Sequence, residues 1–136
     1  MTAQRIAIGT VVGGVVFFVL GFLVFGIALA DFFASNSAPN LTREPFNLPA
    51  IAVGQLGAAA ALTLILSWTS ASNVTESAKI GALVGLLTGI GIDFTTFGTS
   101  TIQNLNVTLV GPVVRSALWA VAGAAIAAIA GRRTPA

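Results

Sequence analysis

The sequence contains no cysteine, no histidine and no tyrosine. These absences exclude disulfide bonds, thiolate chemistry, imidazole bases and the usual zinc and haem ligands. The remaining carboxylates, amides and hydroxyls suit hard cations or no metal at all. Because general acid–base catalysis would also have few groups to use, we expect no metal, no cofactor and no enzymatic activity.

Charged residues are scarce as well. They make up 7% of the 136 residues, whereas hydrophobic residues make up 56%. An ordinary soluble domain has about 25% charged residues, so the composition predicts an integral membrane protein whose main partner is the lipid bilayer. The length allows one domain, residues 1–136. The net charge of +2 is scattered among apolar runs and forms no basic face, so we expect no nucleic-acid partner.

Four apolar runs are long enough to cross a bilayer, which takes about 20 helical residues. They cover residues 6–30, 48–68, 78–97 and 112–131. In the fourth run, Pro112 either kinks a helix or lies near its start. We expect a start near Pro112, because the stretch from there to Gly131 is about 30 Å long as a helix and just spans. The sequence therefore predicts an all-α, integral membrane bundle of four transmembrane helices.

Basic residues predict the orientation of this bundle. With four spans, both termini lie on one side of the membrane. That side holds most of the basic residues, namely Arg5, Lys79, Arg132 and Arg133, whereas the other side holds Arg43 and, near the outer end of the fourth span, Arg115. The positive-inside rule then predicts cytoplasmic termini, in a bacterial inner membrane.

Small residues recur along the third span. Gly81, Gly85 and Gly89 are spaced by four and share one helical face. In a membrane, such a face lets a second helix backbone approach closely. The stripe therefore fits either a homo-oligomer interface or packing inside one chain, and the spacing alone does not separate the two.

Two ionisable residues fall within the predicted spans, and such residues are functional candidates by default. Asp93 lies about one turn before the outer end of the third span, and Arg115 lies one turn after Pro112. We expect both at similar depth, where adjacent antiparallel helices could bring them together. Trp119 follows Arg115 on the same helical face and could stack on its guanidinium group.

Further polar residues are expected at the same level, namely Asp31, Gln55, Thr95 and Thr96. Together with Asp93 and Arg115 they predict an outward-facing polar cluster. One interpretation is a site that binds or passes a small polar solute or ion. The alternative is structural, with an interfacial salt bridge and Arg115 extending to the head groups.

The layout resembles a family of small bacterial four-helix membrane proteins of unknown function. The matching patterns are FFVLGFLVFG at residues 17–26 and VVRSALWAVAGAAIAAIAG at residues 113–131. This resemblance implies the architecture alone. Locally, Thr95-Thr96-Phe97 is similar to the Thr-Thr-Phe break in the third helix of fluoride channels, which implies an ion site lined by these residues. The channels continue with a Ser-Thr-Phe segment, and this chain departs from that pattern because the next three residues are Gly98-Thr99-Ser100.

Two function classes follow. The first is an oligomeric helical bundle that binds or passes a small polar solute or ion, with Asp93 and Arg115 at its centre. The second is a non-catalytic accessory subunit that packs against a larger membrane complex through its glycine and alanine faces.

Overall fold

The computed structural model describes residues 1–69, 71 and 73–131. Arg132 and Arg133, which contribute to the predicted orientation, lie outside the described residues. The helical segments are α1 (Ala3–Leu23), a π-helical segment (Val24–Ala28), α2 (Ala30–Ser35), α3 (Leu48–Trp68), α4 (Val74–Thr99) and α5 (Leu105–Ala130). Four stretches are long and apolar enough to cross a membrane: Ala3–Ala28, Leu48–Trp68, Val74–Thr99 and Leu105–Ala130. The prediction of an all-α, four-helix membrane bundle is confirmed, and its apolar helices contact the lipid bilayer.

Each long helix begins at a side-chain cap. Thr2, Asn47, Asn73 and Asn104 each accept a hydrogen bond from the backbone N–H three residues later. Such caps satisfy donors that have no partner within the helix. The cap at Asn104 starts α5 at Leu105, about two turns before Pro112.

The predicted start at Pro112 is therefore corrected. Pro112 lies inside α5, where its ring cannot donate a hydrogen bond to the carbonyl of Thr108. Pro112 is buried, and it occupies the place on α5 that faces Gly89 of α4. The helix tolerates the proline because the capped turns before it are stable and because the ring packs into the space left by a glycine.

The first span ends differently from the predicted 6–30. At its end the N–H of Leu29 donates to the carbonyl of Val24 at 2.7 Å, which closes a π-helical turn. Leu29 then leaves helical geometry, and the chain continues into the short helix α2.

The helices form two antiparallel pairs. α4 packs along α5, and α1 packs along α3; contacts between α1 and α5 join the pairs, whereas α3 and α4 touch at few positions. The shared core is apolar and consists of Phe17, Ala59, Leu62, Leu66, Ala122, Ile126 and Ala130. We call the end of the bundle where α1 begins and α5 ends the terminal end. The opposite end, which carries residues 29–47 and 100–104, is the loop end.

The glycine stripe of α4 is covered by α5 of the same chain. A Cβ atom at Gly81 would meet the carbonyl oxygen of Trp119, and one at Gly85 would lie 2.8 Å from the carbonyl oxygen of Arg115. A Cβ atom at Gly89 would lie 2.8 Å from the Cα atom of Pro112. The sequence left open whether this stripe forms a homo-oligomer interface or packs inside one chain. In the structure it packs against α5 of the same chain.

Candidate polar site between α4 and α5

Two loops meet at the loop end and fix the entrance to the site. Ser37 and Gln103 form an antiparallel bridge, in which Ala38 N donates to Ile102 O at 2.7 Å and Asn104 N donates to Asn36 O at 3.0 Å. The Asn36 side chain adds to this contact, because its Oδ1 accepts from the side-chain amides of Asn104 at 2.7 Å and Asn106 at 3.0 Å. We call this set of contacts the loop clasp.

An open cavity of about 490 Å³ lies at the loop clasp. Its lining is largely polar and includes Ser35, Asn36, Ser100, Gln103 and Asn104. Since these residues lie beyond the ends of the spanning helices or in their last turn, the cavity opens at the membrane surface. We call it the vestibule.

Gln103 leads from the vestibule into the bundle. Its backbone belongs to the loop clasp, but its side-chain Nε2 donates to the carbonyl oxygen of Asp93 at 3.3 Å and to Thr108 Oγ1 at 3.0 Å. One residue thus contacts α4, α5 and the vestibule. The clasp positions the amide at the inner wall of the vestibule, beside Asp93.

Asp93 is buried between α4 and α5, with 9% of its surface exposed. Its carboxylate lies against Gly111, where a Cβ atom would collide with Oδ2. Glycine at position 111 is therefore what gives the carboxylate room beside α5. Despite this burial, Oδ2 has no hydrogen-bond partner among the described residues.

Arg115 lies deeper in the bundle than expected. Because α5 begins at Leu105, Arg115 is about 15 Å along a helix about 39 Å long, and its backbone carbonyl faces Gly85 near the middle of α4. Asp93 faces Gly111, one turn closer to the loop end. The expectation of similar depth is therefore corrected to a backbone offset of about one turn along the bundle.

The buried atoms of the two charged side chains form no direct hydrogen bond with each other. Arg115 Nη1 is buried and, like Asp93 Oδ2, has no hydrogen-bond partner in the described part of the chain. The site therefore holds one unmet acceptor and one unmet donor of opposite charge.

Below Arg115 the bundle is closed by aromatic rings. Trp119 packs against Phe17 of α1, with ring centroids 5.1 Å apart, and the apolar core continues from there toward the terminal end. Trp119, predicted as a stacking partner for Arg115, thus serves as a contact between α1 and α5.

The other predicted site residues lie elsewhere. Asp31 is exposed on α2, and Thr95 is exposed on α4. Thr96 is half-buried, but its Oγ1 donates to the carbonyl of Ile92 in its own helix at 2.8 Å. Helix α4 continues through Thr95-Thr96-Phe97 to Thr99 without a break.

Gln55 faces a separate cavity between α1 and α3. This cavity has a volume of about 360 Å³ and is lined mainly by phenylalanines, with Gln55 and Thr42 as its polar members. Gln55 therefore lies on another face of the bundle and not between α4 and α5.

Two residues of the site were not singled out from the sequence. Thr108 is fully buried and accepts from Gln103, and Asn36 joins the two loops. Thr108 could have been found from the sequence, because Asn104 is a helix-capping residue and Thr108 lies one turn later, in the first turn of α5. Asn36 had no such signal, because its partners are about 70 residues away in the chain.

Within residues 1–69, 71 and 73–131, no group of three or more acidic side chains is placed to hold a metal ion. Comparison of the chain with known protein families, curated proteins and solved structures finds no significant match.

Proposed function

We propose that this membrane protein binds a small polar solute or ion between α4 and α5 and passes it through the bundle. The observation that carries this proposal is the pair of buried polar atoms without partners, Asp93 Oδ2 and Arg115 Nη1, inside membrane-spanning helices. A buried polar atom without a partner costs about 1–3 kcal/mol, and more when it is charged. A solute that bonds to both atoms would offset this cost, and intramembrane charges commonly mark solute paths.

The arrangement of the site supports access from the loop end. The vestibule meets Gln103, Gln103 contacts Asp93, and Arg115 follows one turn deeper. Passage to the terminal end would require the Trp119 and Phe17 rings to separate. Binding from the loop end requires no such movement, so we propose binding as the first step and ring separation as the step that limits passage.

We further propose a bacterial inner-membrane location with cytoplasmic termini. The terminal end carries Arg5 and Lys79, whereas the loop end carries Arg43 together with Asp31 and Glu44. Basic residues favour the cytoplasmic side. The vestibule would then open to the outside of the cell, and the role of the protein would be non-enzymatic.

Solute flux into liposomes containing the purified protein tests this function. Halides, alkali cations and small neutral solutes would be compared for wild type, Asp93→Asn and Arg115→Gln, with Asp31→Asn and Arg43→Gln as controls. The controls remove the same charges from exposed positions at the loop end. We expect both site variants to abolish the flux of the main solute of wild type, which both controls retain. A flux that survives Asp93→Asn and Arg115→Gln, or no flux and no binding of any solute by folded protein, would contradict the proposal.

A second candidate function is supported by a different face. On α3, Ala50, Gly54, Gly57 and Ala61 are exposed, and nothing lies within 4 Å of a Cβ atom at Gly54 or Gly57. Such a face permits close approach of another helix. It would suit an accessory subunit of a larger membrane complex or, since α5 covers the stripe on α4, a homo-oligomer formed through α3.

Cysteine cross-linking separates these forms of association. The chain has no natural cysteine, so Gly57→Cys introduces a single thiol on the exposed α3 face. A thiol at Gly85 would not reach another chain, because α5 covers that position. Oxidation in native membranes would give a dimer of this chain for a homo-oligomer. A photoactivatable cross-linker attached to the Gly57→Cys thiol, which needs no thiol on the partner, would instead give a larger product containing another subunit if the protein is an accessory subunit. Leu83→Cys, on the exposed face of α4, is the matched control.

A further inference from the structure

Resting on the function proposed above, we infer that the solute bound between Asp93 and Arg115 is net neutral and presents a hydrogen-bond donor beside an acceptor. Urea, small primary amides and zwitterionic amino acids share this chemistry. The donor of the solute would bond to Asp93 Oδ2, and its acceptor would bond to Arg115 Nη1, the two atoms that lack partners.

The neighbouring polar groups leave these two atoms as the ones available. Thr108 Oγ1 accepts from Gln103 Nε2 at 3.0 Å and donates to Asn104 O at 2.9 Å. Ser116 Oγ donates across the helix pair to Ala82 O at 2.8 Å. Because these hydroxyl groups already have partners, the solute meets one negative acceptor and one positive donor.

The charges of the site disfavour a bare ion. Asp93 and Arg115 carry opposite charges, so the pair is neutral as a unit, and a bound ion would leave a net charge where the dielectric constant is low. A hard cation also needs several oxygen ligands, and the described residues contain no cluster of three acidic groups. An anion would meet the Asp93 carboxylate as well as the guanidinium group. A neutral solute avoids both conflicts.

The close packing around the pair limits the size of the solute. Gly89 and Pro112 meet in the turn between Asp93 and Arg115, where a Cβ atom at Gly89 would lie only 2.8 Å from the Cα atom of Pro112. A solute that bonds to both buried atoms must therefore consist of a few heavy atoms, such as urea or glycine, and must move α4 and α5 apart locally.

Selectivity measured in liposomes tests the inference. Wild-type protein would be assayed with urea and glycine and, separately, with chloride and potassium, against protein-free liposomes. We expect urea or glycine flux to exceed that of either ion by at least about tenfold, the discrimination expected when buried polar groups must be paired. The charge variants sharpen this result: Asp93→Asn leaves a net positive site and should raise chloride flux, whereas Arg115→Gln leaves a net negative site and should raise potassium flux.

The outcomes separate this inference from the function on which it rests. Chloride or potassium as the main solute of wild type, with the flux lost in Asp93→Asn, would overturn the neutral-solute inference and leave the transport function standing. Flux of none of the four probes, with no binding of radiolabelled urea or glycine to folded protein, would overturn both. The comparison of the four solutes in wild-type protein tests the neutral-solute inference even if a charge variant does not fold.

Discussion

The two halves of the α4–α5 pair differ in what fills the space between the helices. Toward the terminal end, Gly81 and Gly85 let the backbone of α5 lie directly against α4. Toward the loop end, the same pair holds Asp93, Gln103, Thr108 and Arg115, and two of their buried atoms have no partner. The terminal half is therefore packed for stability, whereas the polar half keeps bonding capacity that the chain itself does not use.

This difference indicates where each half can tolerate change. In a bilayer, lipid tails are as apolar as leucine, so the helices are held by close packing and interhelical hydrogen bonds rather than by hydrophobic burial. A glycine contact is lost as soon as the backbones separate. In the polar half two buried atoms have no hydrogen-bond partner, so replacing both charges together should leave the protein as stable or more stable while removing function.

Replacing the charge pair tests this contrast with the largest expected effect. Arg115→Met or Asp93→Leu alone leaves one buried charge without its counterpart and should lower the free energy of unfolding by about 3–5 kcal/mol. The double variant removes both charges and should be as stable as wild type or more stable, by up to about 4 kcal/mol. Unfolding in detergent, followed by circular dichroism, gives the free energy of unfolding of wild type, the two single variants and the double variant, which together form a double-mutant cycle.

The exposed variant Asp31→Leu is the control for this cycle and should change stability by less than about 0.5 kcal/mol. If the two single effects simply added in the double variant, the Asp93 and Arg115 side chains would be independent of each other. The polar half would then not hold a charge pair.

A methyl group in the terminal half should have the next largest effect. In Gly81→Ala the new Cβ atom meets the carbonyl oxygen of Trp119, so the two backbones must separate. We expect a loss of about 1–3 kcal/mol, as for other overpacked sites. Thermal unfolding in detergent measures it.

Gly91→Ala is the matched control on the same helix. Nothing lies within 4 Å of a Cβ atom at Gly91, so alanine should be neutral or should stabilise the helix by up to about 1 kcal/mol. Equal effects of the two substitutions would mean that the stripe does not hold α4 to α5.

The loop clasp offers a smaller test of the polar half. Asn36→Ala removes the acceptor for the side-chain amides of Asn104 and Asn106. Because both hydrogen bonds are exposed, we expect a local loss of about 1 kcal/mol, seen as faster hydrogen exchange of the backbone amides of Ala38 and Asn104, which donate in the loop clasp. Thr101→Ala, an exposed change in the same loop, is the control. Unchanged exchange in Asn36→Ala would show that the backbone bridge alone fixes Gln103.

The sequence was sufficient for the number of spanning helices and for the expectation of close helix packing at the glycine stripe, because apolar length and small-residue periodicity are local properties. It did not determine which helix covers the stripe. It was insufficient for the start of α5. Pro112 drew attention as a helix breaker, whereas the cap at Asn104 determines where the helix begins. That difference of about two turns places Arg115 about 15 Å along α5 instead of near its start.

The composition of the polar site was predicted only in part. Asp93 and Arg115 could be found because charges within apolar runs are conspicuous. Asp31, Gln55 and Thr95 were expected at the same depth, but depth does not determine which face of a helix a residue occupies. The contacts of Gln103 with Asp93 and of Asn36 with Asn104 depend on how two loops meet, which no local pattern encodes.

The smallest expected effect distinguishes the polar half from the exposed surface beside it. Thr95 is exposed, and the Thr96 hydroxyl group bonds within its own helix, so neither offers a free group to a solute at Asp93. Thr95→Ala and Thr96→Ala should each change stability by less than about 0.5 kcal/mol and leave solute flux in liposomes at the wild-type level. Thr108→Val is the contrasting change, because it removes the hydroxyl group that receives Gln103 and should reduce flux. If Thr95→Ala or Thr96→Ala instead reduced flux as much as Thr108→Val, the solute path would run along the exposed face of α4, as the resemblance to fluoride channels implies, and not between α4 and α5.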